Sequence, residues 1–390
     1  MTDLIAREVE ALMPEMWTIA ETLHAHPELS GEEHEAARLL TATLERHGFE
    51  VQRGVGGLPT AFVARSGPVR RPAVGFIAEY DALPDIGHGC GHNLIAASAL
   101  CAAIALQRAA SDMAGRVVVI GTPAEEVAEF QAKQRMLDAG AFAELDVVFA
   151  NHGGERTTVG ARSLAMDSLE FVFSGTPSHA AKYPHLGRSA LDGALLTITG
   201  AEYLREHVRP DVRIHGIVAE GGVRANIVPE RARLEYTVRA NDRAYLDEVR
   251  ARLVDCARAG ALASGTEVEV RITGSNDDRL ELPSLYDVLL ERAVAAGAEQ
   301  VMEPETGLGS TDFGVVSRAL PASTLKVAFV DHLTPGHSRA WTEAAGGPRG
   351  RKAIEIMGRA LAETGYRVLT DDGYRASVVA EFERLTNRST

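Results

Sequence analysis

The chain has 390 residues, with 54 acidic against 40 basic side chains and a net charge of −14. That length implies two domains rather than one core, and the acidic balance argues against non-specific nucleic-acid binding. Three cysteines are too few for a disulfide framework and suit a reducing compartment, and no apolar run approaches a membrane span, so we expect a cytoplasmic protein without nucleic-acid or membrane partners.

The N-terminal stretch MTDLIAREVEALMPEM reads as an acidic amphipathic helix, not a signal peptide. Leu4, Ile5, Val9, Leu12, Met16, Ile19 and Leu23 fall at helical spacing over 3–24. Ser30 followed by Glu33 predicts a capping box for a second helix that ends near Gly48. A β-like stretch over 60–65 precedes a strand over 73–79, and acidic residues, Glu79 and Asp81, follow at its end. After a turn at Pro84 comes His88-Gly-Cys90-Gly-His92, then an alanine-rich helix from about Leu94 to Leu106. Glycines let the backbone fold tightly, so that a thiol and imidazoles can converge. Thiolate and imidazole are the donors that zinc and similar borderline metals take.

Strand and helix then alternate: a strand over 116–122, a helix over 126–139, a strand over 146–151. Alternation of this kind implies an α/β domain, a mostly parallel sheet with helices on both faces. In such sheets ligands bind beyond the carboxyl ends of the strands. Three strand ends here carry metal-type residues: Asp81, Cys90 and His92 on the first, Glu125 and Glu126 on the second, His152 on the third.

Around 164 the pattern changes to strand LEFVFSG, helix 189–206, strands RIHGIVAE and ARLEYTVRA, helix 243–263 and strand EVEVRIT. This β-α-β-β-α-β order is that of an α+β split-βαβ sandwich. It predicts an inserted domain over 164–275, flanked by residues 1–163 and 276–390 of the first domain. A helix over 283–297, the loop GLGSTDFG (307–314), a strand over 323–330, a loop over 331–347, a helix over 349–363 and a C-terminal helical segment complete the chain.

A catalytic metal centre needs ligands, an open position for water, and a base. Glu125 and Glu126 are adjacent in a loop and point in different directions, so one can bind metal while the other faces the bound water. The plainer reading of that pair is an acidic helix N-terminus. His152 follows a buried strand; His337 shares its loop with His332, which could replace it. His88 reads as a loop-shaping residue, and His24, His26, His34 and His47 as structural. Taken together, the set suits two metal ions sharing ligands and Glu125 accepting a proton from activated water, which is metal-assisted amide hydrolysis.

The sequence resembles the aminoacylase/carboxypeptidase family of di-metal amidohydrolases, peptidase family M-20, in its amidohydrolase branch. The resemblance rests on LHAHPELSGEE (23–33), EYDALPDIGHGCGHN (79–93), GTPAEE (121–126), the SGTPSHAA…GRSAL stretch (174–191), GGVRANIVPE (221–230) and GSTDFG (309–314), in that order over nearly the whole chain. It implies Cys90 as the bridging ligand, with His92, Glu126, His152 and His337 as further ligands. It implies Glu125 as the general base and Asp81 as an outer carboxylate that orients a ligand. It also implies a homodimer through the inserted domain, which partly covers the active site. His179 would help bind the substrate carbonyl oxygen, often from the neighbouring subunit. Asn226 and Arg239 would hold the substrate carboxylate, against plainer readings as a turn residue and an edge-strand charge.

There are departures. Asn93 stands where many members have Asp, the glutamate pair follows Gly-Thr-Pro-Ala, and Thr311 replaces the Glu of the auxin-conjugate hydrolases. These features look more like aminobenzoyl-glutamate hydrolase and β-alanyl-lysine dipeptidase-like proteins. The expectation is hydrolysis of a small-molecule amide, an N-acyl amino acid or dipeptide-like substrate with a free carboxylate. It would use two divalent ions, Zn²⁺ or Mn²⁺, with Co²⁺ and Ni²⁺ also suited. The alternatives are an aminohydrolase (deaminase) acting on a small amine, and a non-catalytic relative that binds a ligand.

Overall fold

The computed structural model describes residues 1–67, 71–110, 115–160, 162–304 and 309–387; Gly307 and Leu308, which open the GLGSTDFG loop, lie outside them. The chain begins with helices α1 (Thr2–Ala25) and α2 (His34–Arg46), then strands β1 (Glu50–Arg53), β2 (Phe62–Ser66) and β3 (Ala73–Glu79). Next come α3 (His92–Ala109), β4 (Arg116–Thr122), α4 (Ala132–Asp138), β5 (Val147–Gly154) and β6 (Thr158–Val159). A second group follows: β7 (Ala165–Ser174), α5 (Ala190–Arg205), β8 (Arg213–Glu220), β9 (Arg231–Ala240), α6 (Arg243–Ser264) and β10 (Glu267–Asn276). The chain closes with α7 (Pro283–Ala295), α8 (Phe313–Ala319), β11 (Ala322–Ala328), α9 (Arg339–Ala345), α10 (Pro348–Thr370) and α11 (Asp372–Thr386). It divides into two compact units, one of Met1–Arg162, Arg279–Thr306 and Val315–Thr390, the other of Ser163–Asp278 and Gly307–Gly314.

In the first unit the strands run β1-β2-β4-β3-β5-β11-β6 across one sheet. The four central strands are parallel, and antiparallel pairs flank them. All seven residues of β3 are buried, which is why its sequence is a continuous apolar run and not an alternating one. Val74, Phe76, Val119, Phe149 and Leu325 join a core with residues of α1, α3 and α10. Each such large apolar side chain contributes about 1.5–3 kcal/mol by leaving water. Helix α3 is buried nearly all round, and its alanines allow close packing. A Cβ at Gly358 of α10 would come within 2.9 Å of Cys101 Sγ, so glycine there permits the close approach of the two helices.

In the second unit the sheet order is β10-β7-β9-β8, all antiparallel. On β9, Leu234, Tyr236 and Val238 are buried and alternate with Arg233, Glu235, Thr237 and Arg239. The buried set packs with Ala194 and Ala201 of α5 and Leu253 and Ala257 of α6, leaving the charged set on the opposite face.

Several local expectations are corrected. Ser30 and Glu33 do not form a capping box: α2 starts at His34 without a side-chain cap. Ser30 instead donates to Asp81 Oδ2 at 2.8 Å, and Glu33 accepts from Thr60 Oγ1 and the Ala124 N–H. The helix over 126–139 is broken. Gln131, at φ +47°, separates a single 3-10 turn over 128–130 from α4. Helix α9 lies within a stretch expected as a loop, α8 begins at the end of another and runs on through residues given no element, and the short strands β1 and β6 were not expected at all.

Candidate metal centre

Strands β4, β3, β5 and β11 are neighbours and parallel, so their carboxyl ends lie at the same end of the sheet. Each delivers polar side chains there. β3 ends at Glu79 and leads to Asp81, Cys90 and His92; β4 leads to Glu125 and Glu126; β5 carries His152; β11 leads to His337.

The backbone at these ends is strained and held in place. Gly91, at φ +85°, precedes α3 and sets His92 in its first turn. Ala124 and His337, each at φ +55°, occupy the left-handed region without being glycine, a cost of about 1–3 kcal/mol apiece. Hydrogen bonds offset it. The Ala124 N–H donates to Glu33 Oε1 at 2.9 Å, the Glu126 N–H to Asp81 Oδ2 at 3.1 Å, and the His337 N–H to the Gly89 carbonyl at 3.1 Å.

Three groups of side chains each place their ligand atoms within 4.8 Å of one another: Cys90, His92 and His152; Cys90, Glu126 and His337; His92, Glu125 and Glu126. Cys90 belongs to the first two. Its Sγ lies 3.3 Å from His152 Nε2. His92 Nε2 lies 3.8 Å from Glu125 Oε2 and 3.7 Å from Glu126 Oε1, and His337 Nε2 lies 3.7 Å from Glu126 Oε2. Among the described residues, His92 Nε2 and Glu126 Oε1 are buried without a hydrogen-bond partner. Orphaned buried polar atoms are costly, and a cation among these donors would satisfy both. The thiol, imidazole and carboxylate mixture fits a divalent metal of zinc type.

Asp81 is the hub beneath the cluster. The His92 Nδ1–H donates to the Asp81 carbonyl at 2.9 Å and to Oδ1 at 3.0 Å, which turns Nε2 toward the other donors. Burial would raise the Asp81 carboxyl, but His92 and the donors on Oδ2 outweigh it and hold it far below the ordinary range. Burial pushes the Cys90 thiol up to about 12 against the pull of His92, so a bound cation must displace that proton. Burial brings His152 down to about 3, leaving a neutral ring. For His92, burial is outweighed by Cys90 and Asp81, and the ring is held well above the ordinary histidine range, so a bound cation must displace the Nε2 proton as well.

The remaining sequence candidates are placed as follows. His88 is buried and donates from Nε2 to the Leu23 carbonyl at 3.1 Å, away from the ligand groups. His332 Nδ1 lies 3.3 Å from Glu155, and it is His337 that stands beside Glu126. Asn93 is buried and donates to the carbonyls of Ala20 and Ala345, tying α3 to neighbouring helices. In the second unit, exposed His179 and Asn226 sit side by side: the Ala180 N–H donates to the Asn226 carbonyl at 3.1 Å, and His179 bridges Ile227. Arg239 lies on β9, between β7 and β8. It is therefore not an edge-strand charge, because its strand is paired on both sides.

Sequence reading passed over three supports of the cluster. Ser30 and Glu33 were assigned to a helix cap, and Lys133 was passed over inside the helix expected over 126–139. Lys133 is fully buried, with Nζ 2.8 Å from Glu79 Oε1. Burial would raise the Glu79 carboxyl, but Lys133 and His92 hold it down. One signal was available for Glu79: it precedes Asp81 by two residues at a strand end, so both side chains face the same way.

Known proteins share this arrangement of chain and fold. The sequence profile of peptidase family M20/M25/M40 matches residues 75–345. Human Xaa-Arg dipeptidase is 36% identical over 94% of this chain and 87% of its own length. One of the subunits of p-aminobenzoyl-glutamate hydrolase from Escherichia coli K12 is 34% identical over 67% of this chain and 58% of its own. Among solved structures, a dinuclear metal binding peptidase of the M20 family from Bacillus subtilis superposes with a TM-score of 0.70, covering 92% of this chain and 99% of its own at 22% identity. That last likeness is one of fold.

Proposed function

The chain belongs to peptidase family M20/M25/M40 and is a metal-dependent hydrolase of amide bonds; we propose that it cleaves dipeptides or N-acyl amino acids bearing a free carboxylate, with Glu125 as general base. Dipeptides ending in arginine are the first candidates, because the human relative is named for them. The observation that supports the assignment of roles is Cys90, which belongs to two ligand groups at once. We assign Cys90, His92, Glu126, His152 and His337 as the residues that would hold two divalent ions, with Cys90 as the ligand that the two would share. The donor set suits Zn²⁺ or Mn²⁺, and tolerates Co²⁺ or Ni²⁺. Such ions, when bound, lower the pKa of a water to about 7 and polarise a carbonyl.

The chain's own groups do the rest. Glu125 accepts the water's proton at a carboxylate oxygen and returns it to the leaving amine. Asp81 fixes the tautomer of His92. His179 accepts the N–H groups of Ala181 and Lys182 at Nδ1, 3.3 and 3.2 Å away. Its proton is thereby placed on Nε2, as a donor for the substrate carbonyl oxygen, in cis or in trans. Asn226 and the guanidinium fork of Arg239 receive the substrate carboxylate.

We also propose a homodimer. β8 is an edge strand with Ile217 and Val218 exposed, and α5 exposes Leu195, Leu196 and Tyr203. An uncovered strand edge beside apolar helix residues suits a second copy. Among the described residues no helix is long and apolar enough to cross a membrane, and we place the enzyme in the cytoplasm. The deaminase and the non-catalytic alternatives do not fit the relatives, whose names are those of a dipeptidase and an amide hydrolase.

The test is the metal content of the purified protein, together with hydrolysis of a panel. The panel holds Xaa-Arg and β-alanyl dipeptides, aminobenzoyl-glutamate and N-acyl amino acids, with added Mn²⁺ or Zn²⁺ and with a chelator. Two ions per chain and chelator-sensitive release of a free amino acid are expected. Neither metal nor hydrolysis after reconstitution overturns the reading.

A further inference from the structure

The cluster holds one more carboxylate than the assigned roles use. Glu79 is buried, and its Oε2 lies 3.9 Å from His92 Nε2, the ring atom that has no hydrogen-bond partner among the described residues. Its ligand oxygen is also within 4.8 Å of that of Glu125. A cation bound at His92 Nε2 would therefore have Glu79 within reach as an additional ligand. That would be harmful: a catalytic centre keeps a position open for water and substrate, whereas a closed ligand set is the mark of a structural site.

The structure holds Glu79 elsewhere. Its second oxygen, Oε1, receives Lys133 Nζ at 2.8 Å. Lys133 stands in the first turn of α4 and is 0% exposed. Taking an ammonium out of water costs several kcal/mol unless it is paired, so a lysine here demands a role that an apolar residue could not fill. Asp81, a further carboxylate outside the assigned ligand set, is occupied differently, by His92, the Ser30 hydroxyl and the Glu126 N–H.

We propose that Lys133 is a positioning residue whose ammonium holds Glu79 in an ion pair, keeping this carboxylate out of the metal's ligand set so that the centre retains its open position. The proposal rests on the metal reading above. It goes beyond that reading by giving the Lys133–Glu79 pair a task, which is withholding a ligand.

The experiment uses the full-length protein loaded with Co²⁺, whose visible absorption reports coordination number. Affinity is measured in parallel by competition with a chromophoric chelator. In Lys133→Met, Glu79 is released. The cobalt bands should weaken as coordination number rises, and affinity should rise about 10-fold, while kcat falls and KM changes little. Adding Glu79→Gln to that variant should return both spectrum and affinity to wild-type values. Glu79→Gln alone should keep the wild-type spectrum and two cobalt ions.

Loss of a cobalt ion in Glu79→Gln overturns the proposal, because Glu79 would then be a ligand in the wild type. An unchanged spectrum and affinity in a folded Lys133→Met variant overturns it equally. If Lys133→Met does not fold, the Glu79→Gln spectrum still decides. A wild-type protein that binds no cobalt overturns the metal reading itself, and this proposal with it, and is distinguishable from the other outcomes.

Discussion

Asp81 and Asp167 are buried to nearly the same degree, 1% and 0% exposed, and both have carboxyls held below the ordinary range against the penalty of burial. Their partners differ. Asp167, on β7, is met by both Nη atoms of Arg243 at 2.9 and 2.7 Å, by Arg250 at 2.6 Å and by the Ser275 hydroxyl at 2.7 Å. Its charge is consumed by guanidinium groups, and the result is a lock within the second unit. Asp81 meets an imidazole, a hydroxyl and a backbone N–H. Its charge is passed to the ring it orients, and the Nε2 of that ring, unpartnered among the described residues, faces Glu125 and Glu126. A buried carboxylate is thus no mark of a site by itself. The mark is a ligand-type atom beyond its partner that stands among further metal donors, as His92 Nε2 does beside Glu125 and Glu126; a guanidinium offers none.

The widest gap between the two regions should appear when the proposed base is removed. Glu125→Gln keeps the shape of the side chain and removes the proton acceptor. It should lower kcat by about 10³–10⁴-fold with two metal ions still bound, as read by steady-state kinetics and metal analysis. Near-normal turnover would remove Glu125 from its role and weaken the contrast at its root.

Asp167→Asn should do the opposite, costing stability and leaving metal content alone. Removing one member of a buried ion pair costs about 3–5 kcal/mol, seen as a lower urea midpoint at pH 7. The pH dependence has a fixed sign. The folded carboxyl titrates below its unfolded value of about 3.9, so its contribution is fully present above that value and is lost as pH falls through the folded value. Wild type and variant should therefore differ by a constant amount from neutrality to about pH 4 and converge below it. A difference that persists unchanged at pH 2 would show that the carboxylate charge is not what holds the lock.

His179→Ala tests whether the second unit supplies chemistry as well as a scaffold. Losing one donor to a developing oxyanion lowers kcat by about 10²–10³-fold. Metal content and the urea midpoint should not move, since the ring is exposed and makes its hydrogen bonds to its own loop. An unchanged kcat would confine the chemistry to the first unit.

Much of this contrast could be read from the chain, and the part that could not has a common cause. Cys90 and His92 stood out within their glycine-rich turn, while Glu125, Glu126, His152 and His337 were joined to them by the order of strand ends and by the family resemblance; the structure brings the donor atoms of all six into overlapping groups. Ser30 and Glu33 were misread because Ser-x-x-Glu is a local pattern, while their actual partners, Asp81 and Ala124, lie 51 and 91 residues away. Lys133 drew no attention inside the helix expected over 126–139. The left-handed turn at Gln131 shortens that helix, and the side chain of Lys133 points inward to Glu79. Arg239 looked like an edge charge because strand order, unlike strand position, is a long-range property. Residues that carry their own local signal were legible; residues whose meaning lies in a distant partner were not.

The finest test of the comparison is Asp81→Asn, which removes the charge from the hub with almost no change in volume. An asparagine there faces conflicting demands. If its oxygen stays toward His92 Nδ1–H, its NH₂ group meets the Ser30 hydroxyl and the Glu126 N–H. The hydroxyl can rotate to accept, but the backbone N–H cannot, and the turn that carries Glu126 loses its anchor. If the amide flips, the NH₂ group faces Nδ1, the ring proton moves to Nε2, and the nitrogen aimed at the donor cluster has no lone pair to offer. Either way the group formed by Cys90, His92 and His152 suffers, through His92 or through its support. Partners of this kind are worth about 10–100-fold in metal affinity. We expect a loss of that size for one of two ions in a cobalt titration, with the urea midpoint shifted much less than in Asp167→Asn. Equal affinity for both ions in Asp81→Asn and wild type would mean that Asp81, like Asp167, only locks the fold.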